Sequence, residues 1–271
     1  MHGSVDGSTT TIPLLAELRP SELRIHMIGI GGSGMSGAAL LLRDMGARVS
    51  GSDLVAFDGA AHLRARGITV AIGHQEANLE VDANLVVASA AVPITNPELA
   101  LARKRGIRTF KYAELLGALM AARHGVAIAG THGKSTTTGM VVHFLAAAGI
   151  DPSFVVGANL DPQGCGGAWG CGPHLVVEAC EFDRSFLHFS PRNAAILNVE
   201  SDHLDCYRDL EEIIEAFSDF AGNVRPDGLL VANAADAASM RAVKRASAHV
   251  ETFGVGTCAD WEAADLQCDK G

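Results

Sequence analysis

Residues 23–53 read LRIHMIGIGGSGMSGAALLLRDMGARVSGSD, and the order of their parts decides the fold. A strand-length apolar run (LRIHMIGI) meets a glycine turn (GGSGMSG), a helical stretch (AALLLRDMG) is closed by Gly46, and a second strand (ARVSGSD) follows. That succession is a βαβ unit. Its turn, Gly29-Ile30-Gly31-Gly32-Ser33-Gly34, is a G-x-G-x-x-G placed after a strand and before a helix, with Asp53 19 residues past Gly34 at the end of the next strand. Glycine lets the backbone turn tightly and lie against a diphosphate, whose charge is met by the free N–H groups and dipole of the helix start. Asp53 is placed to accept from a ribose hydroxyl. A tight turn without a ligand is the plainer alternative.

Outward from this unit the alternation continues. Strands at 69–72 and 85–88, a helix at 96–105 and a short strand at 108–110 complete a Rossmann-like domain over 23–111. Residues 1–22, mixed Gly, Ser, Thr and Pro with one apolar patch, read as a loose extension. Tyr112 to Arg123 is an amphipathic helix with Leu115, Leu116, Leu119 and Met120 on one face, and it delivers the chain to a buried strand, GVAIAG (125–130). A helix then runs through Leu145 to Gly149, followed by a strand at 154–156, a Gly-rich loop at 157–172, and strands at 175–179 and 194–199. A helix at 210–221, a strand at 229–232, a helix at 236–246 and a strand at 250–253 come last. The expected class is α/β: a Rossmann-like domain, then a P-loop ATPase domain over 112–271 that stops before closing a recognisable unit.

Composition agrees. The 271 residues include 30 glycines, with 48% hydrophobic and only 19% charged residues, which excludes a disordered or coiled-coil chain. Net charge is 21 minus 31, or −10, without a Lys/Arg cluster, so a nucleic-acid backbone is repelled while small anions remain possible on backbone N–H groups. No apolar run approaches the roughly 20 residues of a membrane span and the start lacks the build of a signal peptide, so a cytoplasmic location is expected, without a membrane partner. The six cysteines form no CxxC pair and read as reduced thiols; Cys165, Cys171 and Cys180 near His174 fit no common zinc spacing.

The second loop is Gly130-Thr131-His132-Gly133-Lys134-Ser135-Thr136, again between a buried strand and a helix. A strict Walker A places glycine where Ile128 stands, so this is a shorter variant. Gly130 and Gly133 let the backbone curl around phosphate oxygens, Lys134 reaches the β and γ groups, and Ser135 offers a hydroxyl to Mg²⁺. A solvated lysine at a helix start is the plain alternative, and Lys134 is expected to be exposed there. Downstream, the strand reaching Glu178 and the segment NVESDHLD (198–205) bring acids and His203 to the carboxyl ends of neighbouring strands, where the loop also points. Glu178 and His203 with Ser135 make a candidate Mg²⁺ set.

In combination these segments are recognisable. HMIGIGGSGMSG with GSD, SAAVPITNPEL, AELLGALMAARHGVAIAGTHGKSTTT and NVESDHLD, in this order, resemble the Mur ligase family, and within it the alanine-adding branch, from about Arg24 to Trp261. The resemblance implies a three-domain, ATP-dependent enzyme of peptidoglycan synthesis that joins L-alanine to the lactyl carboxylate of UDP-N-acetylmuramate through an acyl phosphate, with ATP and Mg²⁺. It implies sugar-nucleotide contacts at Gly31, Gly32, Ser33, Gly34, Met35, Asp53 and Ser89, ATP contacts across Gly130 to Thr136, catalytic roles for Lys134, Glu178 and His203, and metal ligation by Ser135, Glu178 and His203. The third domain is expected beyond Gly271, so this stretch alone is expected to lack ligase activity. A family segment written Glu-Ala-Asp-Glu-Ser-Asp is EACEFD here, with Cys180 and Phe182 departing and Glu178, Glu181 and Asp183 kept. The carbamylated lysine of sister ligases has no counterpart, since no Lys falls between Lys134 and Lys244. A murein-tripeptide recycling ligase of the same family, an NAD(P)-dependent oxidoreductase and a non-catalytic nucleotide-binding module remain alternatives.

Overall fold

Short apolar runs separated by glycine turns pair in parallel to make two sheets. The computed structural model describes residues 19–158, 166–202 and 206–267. In the first sheet, β1 (Arg24–Ile28), β2 (Arg48–Asp53), β3 (Thr69–Ile72), β4 (Leu85–Ala88) and β5 (Arg108–Lys111) lie in the order β3-β2-β1-β4-β5, all parallel. β4 is buried at every position, as a strand covered on both faces must be. α1 (Ser33–Met45) brings Met35, Leu41 and Leu42 into the core that holds Ile25, Met27, Val49 and Val87. α3 (Pro97–Lys104), capped by the Asn96 side chain, brings Leu99 and Ala102 against Ile28, Val86 and Ala88 on the opposite face. Between β2 and β3 lies α2 (Ala60–Ala65), where no element was expected. Strand order reverses between β1 and β4, so their carboxyl ends flank a crevice.

α4 (Tyr112–Ala121) starts directly after β5 and buries Leu115, Leu116, Leu119 and Met120. It leads into the second sheet, built from β6 (His124–Ala129), β7 (Ser153–Val155), β8 (Gly167–Ala168), β9 (His174–Ala179), β10 (Asn193–Ile196), β11 (Leu229–Asn233), β12 (His249–Val255) and β13 (Trp261–Ala263). Their order is β13-β12-β11-β10-β6-β9-β7-β8, parallel except for the β7–β8 pair. The chain leaves β6 through α5 (Lys134–Ala147) to one side and later crosses to β10 on the other, so the loop ending β6 opens at a reversal of strand order. α6 (Leu210–Gly222), capped by Asp209, packs Phe217 and Phe220 on Phe186 with ring centroids 5.1 and 5.0 Å apart.

Four differences from the expected elements have physical causes. The Gly-rich stretch after β7 contains β8, because a backbone with Gly166 just before the strand and Gly167 in it can approach Gly37 of α1 so closely that a Cβ on Gly37 would stand 2.5 Å from the Gly166 carbonyl oxygen. The strand expected to reach Val199 ends at Ile196, where the chain turns to hold the loop after β6. The helix expected over 236–246 is α7 (Ala237–Ala242), which tightens into a 3-10 turn at Val243–Arg245. β13 is a short, exposed edge strand with no alternating pattern to announce it. Of the expected extension, residues 1–18 lie outside the described residues, and Pro20–Glu22 forms a 3-10 turn.

Candidate nucleotide-binding and catalytic site

The loop after β6 takes its shape from glycine and from a distant asparagine. Gly130 and Gly133 have φ of +145° and +83°, conformations that L side chains rarely adopt. Thr131 N donates to Asn198 O at 3.0 Å, His132 N donates to Asn198 Oδ1 at 2.8 Å, and Asn198 Nδ2 donates back to His132 O at 3.1 Å. Glu200 N donates to Thr131 Oγ1 at 2.9 Å. Two loop N–H groups are thereby committed to the segment after β10. The N–H groups left over by helix geometry are those of the first turn of α5, Lys134 to Thr136, which are the donors an anion would use.

Lys134 is not the exposed residue expected of a helix start. Its side chain is only 15% exposed, and Nζ donates to Gly130 O at 2.5 Å, Thr131 O at 3.1 Å and Glu181 Oε2 at 3.0 Å. Glu181, just past β9, is buried, and its backbone carbonyl accepts from Tyr207 Oη at 2.6 Å. The turn that follows places Asp183 and Arg184 at φ of 51° and 53°, a left-handed pair costing roughly 1–2 kcal/mol per residue. Asp183 meets Lys111 Nζ at 3.1 Å, which ties this turn to the end of β5.

Glu178 stands opposite Ile128 in the β6–β9 register and reaches the space between the two sheets. A Cβ on Gly157 would fall 2.9 Å from Glu178 Oε2 and 3.5 Å from Ser33 Oγ, so β9, the segment after β7 and the start of α1 converge there. Tyr112 joins them: its hydroxyl lies where a side chain on Gly34 would be, at 2.6 Å from the would-be Cβ. Burial, and then the charge of Glu178, pushes the Tyr112 phenol well above its ordinary value, so it remains a neutral hydrogen-bonding group. Glu178 Oε1 is buried with no hydrogen-bond partner among the described residues. A buried, orphaned carboxylate oxygen is a group that a hard cation can satisfy, so Glu178 fits the Mg²⁺ role expected of it, and Ser135 stands in the first turn of α5. His203 lies outside the described residues. Among the described residues, no three His, Cys, Asp or Glu side chains are grouped to hold a metal by themselves.

The loop after β1 is held by an acid. Gly31 N donates to Asp53 Oδ2 at 2.8 Å, and Gly31 has no room for a side chain because Asp53 and the Phe57 ring occupy that space. Gly29 (φ +80°) lies against Ser89 at the end of β4, across the strand reversal. Gly32 caps α1, and helix geometry leaves the N–H groups of Ser33, Gly34 and Met35 to a ligand. The Met35 side chain is buried in the core, so only its backbone faces the crevice.

The Mur ligase family catalytic-domain model matches residues 24–124, and the Mur ligase middle-domain model matches residues 171–271. The chain belongs to the Mur ligase family. Among relatives, it is 46% identical over 263 residues to the UDP-N-acetylmuramate--L-alanine ligase of Salinispora arenicola, covering 96% of this chain and 51% of that protein. Its fold is similar to the crystal structure of UDP-N-acetylmuramate-alanine ligase from Thermotoga maritima, with TM-score 0.75 and 32% identity, over 87% of this chain and 53% of the other. It is also similar to UDP-N-acetylmuramate:L-alanyl-gamma-D-glutamyl-meso-diaminopimelate ligase from Neisseria meningitides, with TM-score 0.82 and 29% identity, over 91% of this chain and 82% of the other. The chain spans about half the length of the curated relatives it matches.

For a Mur ligase of this sequence, three side chains shape these loops that the motifs alone did not single out as site residues: Asn198, Glu181 and Tyr112. Asn198 was within reach, since it opens the NVESDHLD segment. Tyr112 carried no signal beyond starting an amphipathic helix.

Proposed function

We propose that this chain carries the sugar-nucleotide and ATP sites of a ligase that joins L-alanine to the lactyl carboxylate of UDP-N-acetylmuramate, in the cytoplasmic synthesis of peptidoglycan precursors. Residues 23–111 form the sugar-nucleotide domain and residues 112–271 the ATP-binding domain. The observation that carries this proposal is the Lys134 ammonium held over Gly130 and Thr131 beside buried Glu181, with the first-turn N–H groups of α5 uncommitted. An ammonium gathered on carbonyl oxygens is poised to exchange them for phosphate oxygens, which carry more charge.

A carboxylate repels nucleophiles and has no leaving group, and phosphorylation removes both obstacles. The lactyl carboxylate oxygen attacks the γ-phosphorus of ATP and ADP leaves. The alanine amine then attacks the acyl carbon, and the tetrahedral intermediate expels phosphate to give an amide. Lys134 offsets charge on the transferring group, and the N–H groups of Lys134, Ser135 and Thr136 orient it. Ser135, Glu178 and His203 would hold Mg²⁺, which supplies further positive charge to the phosphate oxygens when bound. Likeness to the Neisseria enzyme supports a second reading, in which the acyl acceptor is a tripeptide amine rather than alanine.

Titration calorimetry on the 271-residue chain tests the assignment. ATP with Mg²⁺ and UDP-N-acetylmuramate are each expected to bind, while NADH is not. Binding of NADH with neither of the others would sink the proposal.

A further inference from the structure

Beneath α3, a chain of polar side chains crosses an otherwise apolar face of the first sheet. Glu98, in the first turn of α3, is fully buried, and both of its carboxylate oxygens accept hydrogen bonds. His26 Nε2 at 3.1 Å and Ser52 Oγ at 2.5 Å reach Oε2, while Gln75 N at 3.1 Å and Asn78 Nδ2 at 2.7 Å reach Oε1. Burial alone would raise this carboxyl, but the hydrogen bonds from His26, Ser52 and Asn78 overturn that and hold it at about 2. Glu98 is therefore an anion, and an anion only accepts.

The direction of each proton follows. Ser52 has one hydroxyl hydrogen and directs it to Glu98. Its oxygen also lies 3.0 Å from His74 Nδ1, where it can now only accept, so Nδ1 carries the proton. In the neutral ring, Nε2 is then left with a lone pair. That nitrogen has no partner among the described residues and is not one of the buried unpaired atoms, and the His74 side chain is 14% exposed. His74 follows Gly73, whose N–H donates to Asp53 O at 2.7 Å. The imidazole thus stands just past the carboxyl ends of β2 and β3, on the edge that carries the glycine loop.

We propose that Glu98 is a positioning residue which, through Ser52, makes His74 a hydrogen-bond acceptor for an N–H or O–H group of the nucleoside bound by the first domain. The inference rests on the sugar-nucleotide function proposed above. It explains why a carboxylate is spent inside a sheet domain: a buried anion bonded to Ser52, and itself 3.7 Å from His74 Nδ1, fixes which histidine nitrogen faces the ligand. A serine–histidine pair without Glu98 could reverse both protons and present a donor instead.

The test uses the 271-residue chain labelled with ¹⁵N on histidine, alone and as Ser52→Ala, with calorimetry on both. Wild type is expected to show His74 protonated on Nδ1 and bare on Nε2 at pH 8. Ser52→Ala should release that preference and weaken UDP-N-acetylmuramate binding about tenfold, the worth of one good hydrogen bond, with ATP affinity unchanged as the check on folding. A wild-type His74 protonated on Nε2 overturns the proposal, as does undiminished sugar-nucleotide affinity in Ser52→Ala. Absence of sugar-nucleotide binding by wild type defeats the function proposed above instead, and the tautomer measurement still decides the role of Glu98.

Discussion

Two glycine turns follow two buried strands in this chain, and they are held by groups of opposite charge. After β1, the Asp53 carboxylate accepts from Gly31 N and the loop is braced from below by an anion. After β6, the Lys134 ammonium closes on the carbonyls of Gly130 and Thr131, and the brace is the neutral amide of Asn198. A shared strand-turn-helix geometry therefore does not imply a shared ligand chemistry. The acid-braced turn suits a ligand held through its hydroxyls and a few N–H groups, whereas the ammonium suits a phosphoryl group whose charge must be met during transfer.

Lys134→Met should break the comparison most sharply. ATP affinity is expected to fall more than a hundredfold, roughly 3 kcal/mol or more, with UDP-N-acetylmuramate affinity unchanged by calorimetry. The variant should also lose stability, since it leaves Glu181 buried without its ammonium; adding Glu181→Gln is expected to recover melting temperature but not ATP binding. Equal loss of both ligands would mean that the two loops do not act separately.

Acid titration, compared between wild type and a Glu98 variant, probes the first domain. Glu98 sits at about 2 in the fold against an ordinary value of 4.5, so its contribution is complete above pH 4.5 and disappears as pH falls towards 2. Urea unfolding from pH 6 to 2 should show a loss on the order of 3 kcal/mol that Glu98→Gln lacks. An identical acid limb in both proteins would contradict the network beneath α3.

Removing the two braces comes next in size. Asn198→Ala should weaken ATP about tenfold and Asp53→Ala should weaken UDP-N-acetylmuramate by a similar factor, each sparing the other ligand. A crossed or shared effect would show the loops to be coupled through Tyr112 and Glu178. The smallest effect belongs to Lys111→Ala. Its pair with Asp183 is largely exposed, with side chains 58% and 45% accessible, and should cost under about 1 kcal/mol in thermal unfolding.

Much of the fold was legible because many of its strands are short apolar runs between turn residues. β3 and β4 have the bounds their apolar residues suggest, and α3 begins at its Asn-Pro signal. What was not legible depends on partners far along the chain. β8 is a strand because α1 offers Gly37 to pack against, and no local pattern encodes that. The Lys134 side chain turns inward because Glu181 lies 47 residues later. Glu98 sits within a Pro-Glu-Leu helix start that looks like ordinary capping, and only the arrival of β1, β2 and the segment at 73–78 makes it a buried hub.

The asparagine brace also has a consequence for how the molecule assembles. His132 and Asn198 are 66 positions apart, so the phosphate-type loop cannot settle until β10 has paired with β6. Closing that length of chain costs entropy before any contact repays it, which places the loop among the late-forming parts of the domain. A peptide spanning only β6, the loop and α5 would contain every residue of the GTHGKST segment and still lack its shape. Amide hydrogens of Thr131 and His132 should accordingly gain protection together with those of β10 during refolding, later than the amides of α5.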